Sequence, residues 1–243
     1  MKRKIYIVGD IHGKFETIFN HLYYNELKDV VYIQVGDFGI GCNLKYEKEK
    51  LRELNLLLEE RYSELYVIRG NHDDPSFFTE NFLESVFHKN SEIFTKIHLM
   101  EDYSVATIND EDWLFVGGAT SIDRKVLIEN LNWWPNECFF YNETRLKKIS
   151  NISHVVTHNA PSFCYPVGMG DIVYMFAQND KSLLDQLRYE RDNLKMMFNL
   201  LMRKNQLKTW WYGHFHKENV QAEGKTTFNL VGIEKIVEFN GDL

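Results

Sequence analysis

The sequence predicts an α/β fold that starts as a parallel βαβαβ unit and continues into a second sheet. Over the first 75 residues, short apolar runs typical of buried strands alternate with amphipathic helical patterns. Alternation of this kind produces parallel strands joined by right-handed crossovers. Strand-like runs then follow one another near residues 96–100, 104–108 and 113–116 with little helix between them, which indicates the second sheet.

Length and composition fit one globular domain. The chain has 243 residues, with 28 basic and 35 acidic side chains and a net charge of −7. At roughly 150 residues per domain, one large domain or two small ones would fit this length. The four prolines and the lack of a Gly/Ser/Pro-rich stretch leave no candidate linker. We therefore expect a single domain over residues 1–243, with a helical insertion at about 165–205.

Charge, apolar runs and cysteine spacing indicate which kinds of partner and environment the protein has. No apolar run approaches the roughly 18 residues of a membrane span, and Met1 leads directly into a β-like run, so we expect a cytoplasmic protein with no membrane partner. The net negative charge does not indicate nucleic-acid binding, although it leaves a local basic patch open. Three cysteines without a CxxC pair indicate neither disulfides nor a thiolate zinc site. The oligomeric state is not predicted.

In the first part of the chain, three predicted strands each run into a glycine-flanked polar segment. The polar side chains at these strand ends are those of Asp10, His12, Asp37, Asn71 and His72. The helical patterns between the strands cover residues 15–22 and about 44–62. Because the strands are predicted to be parallel, their carboxyl ends lie along one edge of the sheet, and these side chains should converge there.

Two later strands end in histidine. One strand-like run ends at His158, and an aromatic run leads into His214 and His216. A helical pattern over residues 180–203 lies between them, with apolar residues on one side. We interpret that apolar stripe as a packing surface, although its place between two polar strand ends sets it near the rim of any site there.

Together, the polar strand ends favour a site for two divalent metal ions. Carboxylate oxygens, an amide oxygen and imidazoles, with no thiolate, suit ions such as manganese, iron or zinc. Residues two apart at a strand end point the same way, so Asp10 and His12, or His214 and His216, can reach one site together. The adjacent glycines let the backbone turn sharply and let a ligand approach closely.

In their order, these blocks resemble those of the calcineurin-like metallophosphoesterase superfamily, which are D-x-H, GD, GNH(D/E), H and GH-x-H. All five occur between Asp10 and His216. The resemblance implies a two-sheet αββα sandwich with a dinuclear metal centre at the carboxyl edge of the strands. From the ligand types we expect manganese, with iron or zinc as alternatives. The resemblance also implies that Asp37 bridges both ions. One ion would be held by Asp10, His12 and His216, and the other by Asn71, His158 and His214.

The resemblance further implies hydrolysis of a phosphate ester by a hydroxide that bridges the two ions, with His72 protonating the leaving group. Two cations about 3.5–4 Å apart can lower the pKa of a shared water and hold both oxygens of an in-line displacement. An imidazole suits the general acid. Asp73 is predicted either to orient His72 or to cap the helix whose first turn contains Pro75.

A further segment after residue 116 has a glycine pair followed by polar residues, as the metal loops do. We expect it to enter the site, where Arg124 would bind a substrate phosphate as a bidentate partner. The alternative is an arginine that pairs with Asp123 or Glu137 to hold a loop. The GGA-x-SIDR sequence and the following WWP-x-E sequence resemble those of a set of bacterial and phage metallophosphoesterases.

The block after Asp37 departs from the best-known branches of the superfamily. Serine/threonine protein phosphatases and diadenosine-tetraphosphate hydrolases continue as GD-x-x-DRG, with an arginine that binds the phosphate, whereas Asp37 is followed here by F-G-I-G. The expected substrate is therefore a phosphomonoester or a small phosphodiester. Alternatives are a nuclease or nucleotide phosphodiesterase, which share GNHD, and a serine/threonine protein phosphatase. A non-catalytic binding scaffold is least favoured, because such proteins usually lack a ligand or the acid histidine.

Overall fold

Two facing sheets with helices on their outer faces make up the protein. The computed structural model describes residues 2–79 and 94–240. Three apolar cores separate the layers. One lies between the first sheet and its helices, one between the two sheets, and one between the second sheet and its helices. The predicted αββα sandwich is confirmed.

The first sheet contains the predicted parallel unit. Its strands, in spatial order, are β11 (Ile236–Glu238), β1 (Lys4–Val8), β2 (Val30–Gln34), β3 (Glu64–Val67) and β4 (Ile97–Leu99). Strands β1 to β4 are parallel, and β11 is antiparallel to β1. The crossovers contain α1 (Glu16–Tyr24) and α2 (Leu44–Glu60), which pack against the outer face of this sheet through residues such as Ile18 and Leu54.

The second sheet is also mostly parallel. Its strands, in spatial order, are β5 (Ser104–Ile108), β6 (Glu111–Val116), β7 (Ile152–Thr157), β8 (Thr209–Tyr212), β10 (Thr226–Leu230) and β9 (Asn219–Glu223). The edge strands β5 and β9 are antiparallel to their neighbours, while β6, β7, β8 and β10 run parallel. Its inner face packs on the first sheet through buried side chains that include Trp113 and Val156.

In the described part of the chain, three helices accompany the second sheet. They are α3 (Glu143–Lys148), α4 (Asp171–Ala177) and α5 (Leu183–Met202). The apolar stripe of α5, including Leu194 and Met197, is buried against the outer face of the sheet, which confirms its packing role. Both α4 and α5 lie within the predicted helical insertion, whereas the single-domain organisation stays a prediction. Among the described residues, no helix is long and apolar enough to cross a membrane.

Candidate metal centre

Polar side chains from both sheets meet at the carboxyl ends of their strands. They form two groups that share Asp37, and within each group the potential ligand atoms lie within 4.8 Å of one another. The first group contains Asp10, His12, Asp37 and His216. The second contains Asp37, His158 and His214. Their strands, β1, β2, β7 and β8, come from both sheets, so the candidate centre spans the edge of the sandwich.

Asn71, which follows β3, adjoins the second group. Its side-chain oxygen Oδ1 lies 3.1 Å from Nε2 of His158. The same imidazole nitrogen lies 3.2 Å from Oδ1 of Asp37. An amide oxygen, a carboxylate oxygen and an imidazole nitrogen therefore converge, and all three are ligand types that suit a borderline divalent ion.

The first group converges as closely. Nε2 of His12 lies 3.1 Å from Nε2 of His216 and 3.8 Å from Oδ2 of Asp37. Nε2 of His216 in turn lies 3.3 Å from Oδ2 of Asp10. Nitrogen lone pairs and carboxylate oxygens that face one another in this way can share one cation, so the donors present fit a divalent metal ion.

Four of these residues have a left-handed backbone. The φ angles are 45° at His12, 54° at Asp37, 68° at His214 and 53° at His216. This conformation is uncommon for residues other than glycine, and the surrounding structure must hold it. The carbonyl of Asp37 accepts hydrogen bonds from the backbone N–H groups of Ile11 and His12, at 3.0 and 2.9 Å, and so fixes two of these loops against each other.

Glycines provide the space in which the carboxylates lie. A Cβ atom on Gly70 would overlap Oδ1 of Asp37, and a Cβ atom on Gly213 would overlap Oδ1 of Asp10. Neither position has room for a side chain. The glycines that precede Asn71 and His214 in the sequence motifs are therefore required by close approach.

Backbone groups orient the candidate ligands. The N–H of His214 donates to both oxygens of Asp10, at 3.2 and 3.0 Å, and the N–H of His72 donates to Oδ1 of Asp37 at 2.8 Å. Nδ1 of His158 donates to the carbonyl of Val35 at 2.8 Å, which leaves its Nε2 as the nitrogen that faces the site. Such outer partners commonly fix the orientation of metal-binding histidines.

Asp37 and His158 shift each other's pKa. Burial opposes ionisation of Asp37, but the neighbouring imidazole of His158 holds the pKa of that carboxyl far below its usual range. Burial likewise opposes protonation of His158. The negative charge of Asp37 and its hydrogen bond to the imidazole have the larger effect and raise the pKa of His158 to about 9. A positive charge is therefore favoured beside Asp37. Because histidine binds metals as the neutral imidazole, a divalent ion would take the place of that proton.

His72 lies beside the first group. The centroid of its half-buried ring is 5.2 Å from that of His12. Within the described residues, its ring nitrogens make no hydrogen bond, whereas its backbone N–H donates to Asp37. The imidazole is therefore held next to the candidate ligands while its nitrogens stay available.

Asp73 does not do what the sequence predicted. Its buried carboxylate accepts hydrogen bonds of 2.6–3.1 Å from the backbone N–H groups of Phe38, Gly39, Ile40 and Gly70. None of these bonds involves the imidazole of His72. The predicted helix cap is also wrong, because Asp74 caps the 3₁₀ turn Pro75–Phe78 by accepting from the N–H of Ser76 at 2.9 Å. Asp73 thus holds the loops around Asp37 and Asn71, and these contacts give no support to its predicted catalytic role.

Arg124 contacts the start of α5 in this structure. Its Nε donates to Oδ2 of Asp180 at 2.6 Å, its Nη2 to Oγ of Ser182 at 3.0 Å, and its Nη1 to Oε1 of Gln186. All three guanidinium nitrogens are therefore engaged with the start of α5. The geometry matches the loop-holding alternative rather than phosphate binding, with Asp180 as the acidic partner instead of Asp123 or Glu137.

Sequence reasoning missed Ser121 and Glu137. Nδ2 of Asn71 donates to Oγ of Ser121 at 3.0 Å, and that hydroxyl donates to Oε2 of Glu137 at 2.7 Å. The segment after residue 116 was expected to enter the site, and it does, through this serine rather than through Arg124. A polar residue just after a strand-end glycine pair was the available signal.

Comparison with known proteins decides the family. A family model described as calcineurin-like phosphoesterase matches residues 3–218. The chain belongs to this family. The resemblance read from the sequence is thus confirmed, and the protein is a dinuclear metal-dependent phosphoesterase. No protein with a curated description matches the sequence significantly.

Solved structures of distant proteins share this metallophosphoesterase fold. A protein of Thermus thermophilus is 11% identical, with a TM-score of 0.53 and 99% of each chain covered. A dimetal phosphatase from Danio rerio is 9% identical, with a TM-score of 0.54 over 96% of this chain and 88% of that chain. The phosphopantetheinyl hydrolase of Mycobacterium tuberculosis is 12% identical, with a TM-score of 0.51 over 100% and 98%. At these identities the likeness extends to the fold alone.

Proposed function

We propose that this phosphoesterase hydrolyses a small phosphodiester or a phosphomonoester at a centre of two divalent ions that Asp37 bridges. The observation that carries the proposal is that two separate groups of potential ligands share this one carboxylate. A bridging carboxylate also balances part of the charge of two neighbouring cations.

The distances support the ligand sets that the family resemblance implies. Around one ion we place Asp10, His12 and His216, and around the other Asn71, His158 and His214. Nitrogen and oxygen donors without a thiolate suit manganese, which is our first choice, with iron or zinc as alternatives.

The bound ions would supply an activated water as nucleophile and would stabilise the charge of the phosphate oxygens. The protein would supply the proton for the leaving group and hold the proton donor in position. His72 lies beside the first group with its ring nitrogens available, so it would donate a proton to the leaving oxygen. The backbone N–H of His72 bonds to Asp37, which fixes the start of this side chain relative to the ions.

Arginine contacts support the diester as the first substrate class. Arg69 lies directly before the Gly70–Asn71 loop, and its guanidinium binds Asp102 and the carbonyls of residues 136–138. Arg124 binds Asp180. Arg191 lies 5.2 Å from the ring of Phe215, and its guanidinium donates to four backbone carbonyls.

All three arginines next to the site segments in the described parts of the chain therefore already have partners. A phosphomonoester dianion presents one more anionic oxygen than a diester and gains more from a guanidinium. A site without a free arginine gives a monoester no such advantage, so it should accept a diester more readily.

Kinetics on matched chromogenic esters test the proposal. The enzyme is stripped with a chelator and reloaded with manganese, and kcat/KM is measured for p-nitrophenyl phosphate and bis(p-nitrophenyl) phosphate. We expect turnover to disappear on stripping, to return with manganese and to favour the diester. Turnover that survives complete removal of metal would contradict the dinuclear centre, and a preference for the monoester would contradict the diester as the first substrate class.

A further inference from the structure

A chain of three buried side chains connects the candidate ligand Asn71 to the loop that follows Trp134. Asn71 donates from Nδ2 to Oγ of Ser121 at 3.0 Å, and Ser121 donates from Oγ to Oε2 of Glu137 at 2.7 Å. The backbone N–H of Ser121 also donates to Oε1 of Glu137 at 2.7 Å. Asn71, Ser121 and Glu137 are exposed by no more than 3%.

The direction of these hydrogen bonds follows from the chemistry of the groups. An ionised carboxylate only accepts, so Glu137 takes both the backbone proton and the hydroxyl proton of Ser121. The serine oxygen has no second proton and must accept from its other neighbour. That neighbour is Asn71, which can donate only from Nδ2 and therefore turns Oδ1 the other way.

This orientation turns Oδ1 of Asn71 toward the candidate metal centre. Oδ1 of Asn71 lies 3.1 Å from Nε2 of His158, among the second group of potential ligands. If the amide were reversed, its NH₂ group would face the centre, and an amide nitrogen with two protons has no lone pair to offer a cation. The orientation of this amide therefore decides whether Asn71 can be a ligand at all.

Glu137 is itself fixed by the loops around it. Its backbone carbonyl accepts from Nη1 of Arg69 at 2.7 Å and from the N–H of Ala119 at 3.1 Å. Arg69 and Asn71 lie in the same loop after β3, so the backbone and the side chain of Glu137 contact both that loop and the segment after β6. The backbone of Glu137 is thereby fixed to the loop that carries Asn71, and its carboxylate is fixed by the two hydrogen bonds from Ser121.

We propose that Ser121 and Glu137 are positioning residues, which hold the amide of Asn71 with its oxygen toward the metal that it shares with His158 and His214. This inference rests on the proposed ligand role of Asn71. It adds a requirement that the ligand set alone does not contain, namely a specific acceptor behind the amide nitrogen. Loss of an outer partner of this kind typically lowers metal affinity by about 10–100-fold.

Manganese binding to the purified full chain tests the inference. Binding is measured calorimetrically and from the spin-resonance signal of free Mn²⁺, at pH 8.0, because burial raises the pKa of Glu137 to about 7 and the carboxyl must be ionised. Ser121→Ala removes the acceptor, and we expect one of the two ions to bind about 10–100-fold more weakly while the other keeps its affinity. Ser121→Thr keeps the hydroxyl and should restore binding.

Glu137→Gln tests the direction of the chain without changing its shape. In one orientation the glutamine sets its NH₂ group against the backbone N–H of Ser121. In the other it donates to the Ser121 hydroxyl, whose own proton is then free to point at Asn71 and to favour the reversed amide. We expect the same selective loss as in Ser121→Ala. The matched control is Glu190→Gln, since Glu190 is equally buried and accepts from Thr120 at 2.6 Å and from Asn159 but does not contact Asn71. It should keep both ions.

Asn71→Ala separates the two hypotheses. If Asn71→Ala binds both ions normally, the ligand role in the proposed function is wrong. If Asn71→Ala loses one ion while Ser121→Ala and Glu137→Gln bind both normally, the positioning role is wrong. Equal weakening of both ions, together with a lower unfolding temperature of the metal-free variants, would also overturn it in favour of a general structural role. Selective weakening of the ion that Asn71→Ala loses would support it.

Discussion

Arg124 and Asp180 form a partly buried ion pair, with Nε of the guanidinium 2.6 Å from Oδ2 of the carboxylate. The pair connects the segment after β6 to the start of α5. The hydrogen bond from Arg124 outweighs burial and lowers the pKa of Asp180 to about 2. The sequence motif that contains Arg124 suggested substrate binding, and this contact favours the loop-holding alternative, which the Arg124→Ala variant tests.

Arg124→Ala should destabilise the protein and leave the chemistry intact. Removing Arg124 leaves the carboxylate of Asp180 without its main hydrogen-bond donor, and such a loss costs about 1–3 kcal/mol. Urea unfolding measures this loss, and kcat/KM per folded molecule should be unchanged. The control is Arg188→Ala. Arg188 forms an exposed ion pair with Asp185 on α5, the helix whose start Arg124 contacts, and such a pair contributes about 1 kcal/mol or less to stability. A large loss of kcat/KM without lost stability would restore the phosphate-binding role.

The same pair predicts a dependence of stability on pH. The pKa of Asp180 is lower in the folded protein than its ordinary value of 3.8, so ionised Asp180 stabilises the fold above that value. The contribution is lost as pH falls from about 4 to about 2. In metal-free protein, the stability difference between wild type and Arg124→Ala should therefore shrink over this range. A constant difference down to pH 2 would mean that Asp180 is not the group that Arg124 stabilises.

Asp73→Asn should lower the stability of the protein more than it lowers turnover. The carboxylate accepts from four backbone N–H groups, whereas an amide offers one oxygen and an NH₂ group that cannot accept. Leaving buried donors unpaired costs roughly 1–3 kcal/mol each, so the metal-free protein should unfold several degrees lower.

Asp74→Asn is the matched control for Asp73→Asn. It changes the neighbouring carboxylate, and asparagine caps a helix start as well as aspartate does, so the unfolding temperature should not move. If Asp73→Asn kept the wild-type unfolding temperature and lost only kcat, orientation of His72 would be its role after all.

His72→Ala should separate metal binding from proton transfer. The imidazole lies beside the first ligand group but is not a member of it, so both ions should remain. Turnover should fall by about 10²–10⁴-fold, the usual contribution of a general acid. The loss should shrink for leaving groups such as p-nitrophenol, which need little protonation. Equal losses across a series of leaving groups would remove His72 from this role.

Gly213→Ala should empty one part of the centre. The new Cβ would overlap Oδ1 of Asp10, so that carboxylate must move away from His216. We expect elemental analysis to show less than two equivalents of manganese, with the first ligand group affected. Gly170→Ala serves as the control, because a Cβ there meets no atom within 4 Å. Full metal content in Gly213→Ala would contradict the position of Asp10 as a ligand.

The strand pattern was readable from the sequence because it depends on local order. Apolar runs that end in glycine and a polar residue located the segments of Asp10, Asp37 and His158, and parallel strands bring such ends to one edge. The αββα architecture and the convergence of the seven candidate ligands followed from that pattern and from the family resemblance.

The contacts that were missed depend on tertiary structure. Asp180 is 56 residues from Arg124, and nothing in the local sequence marks it as the partner. Asp73 binds backbone N–H groups, which almost every residue carries, so its partners leave no trace in the sequence. Ser121 lies in a segment that was correctly expected at the site, but only the fold shows that its hydroxyl contacts Asn71 at 3.0 Å.

The most direct test of the shared carboxylate is a crystal of the manganese-loaded protein measured at the manganese absorption edge. We predict two anomalous peaks about 3.5–4 Å apart, both bound by the carboxylate of Asp37. One peak should contact Asp10, and the other should contact Asn71 through its oxygen. A single peak, or two peaks of which Asp37 binds at most one, would contradict the bridging role on which the proposed function rests.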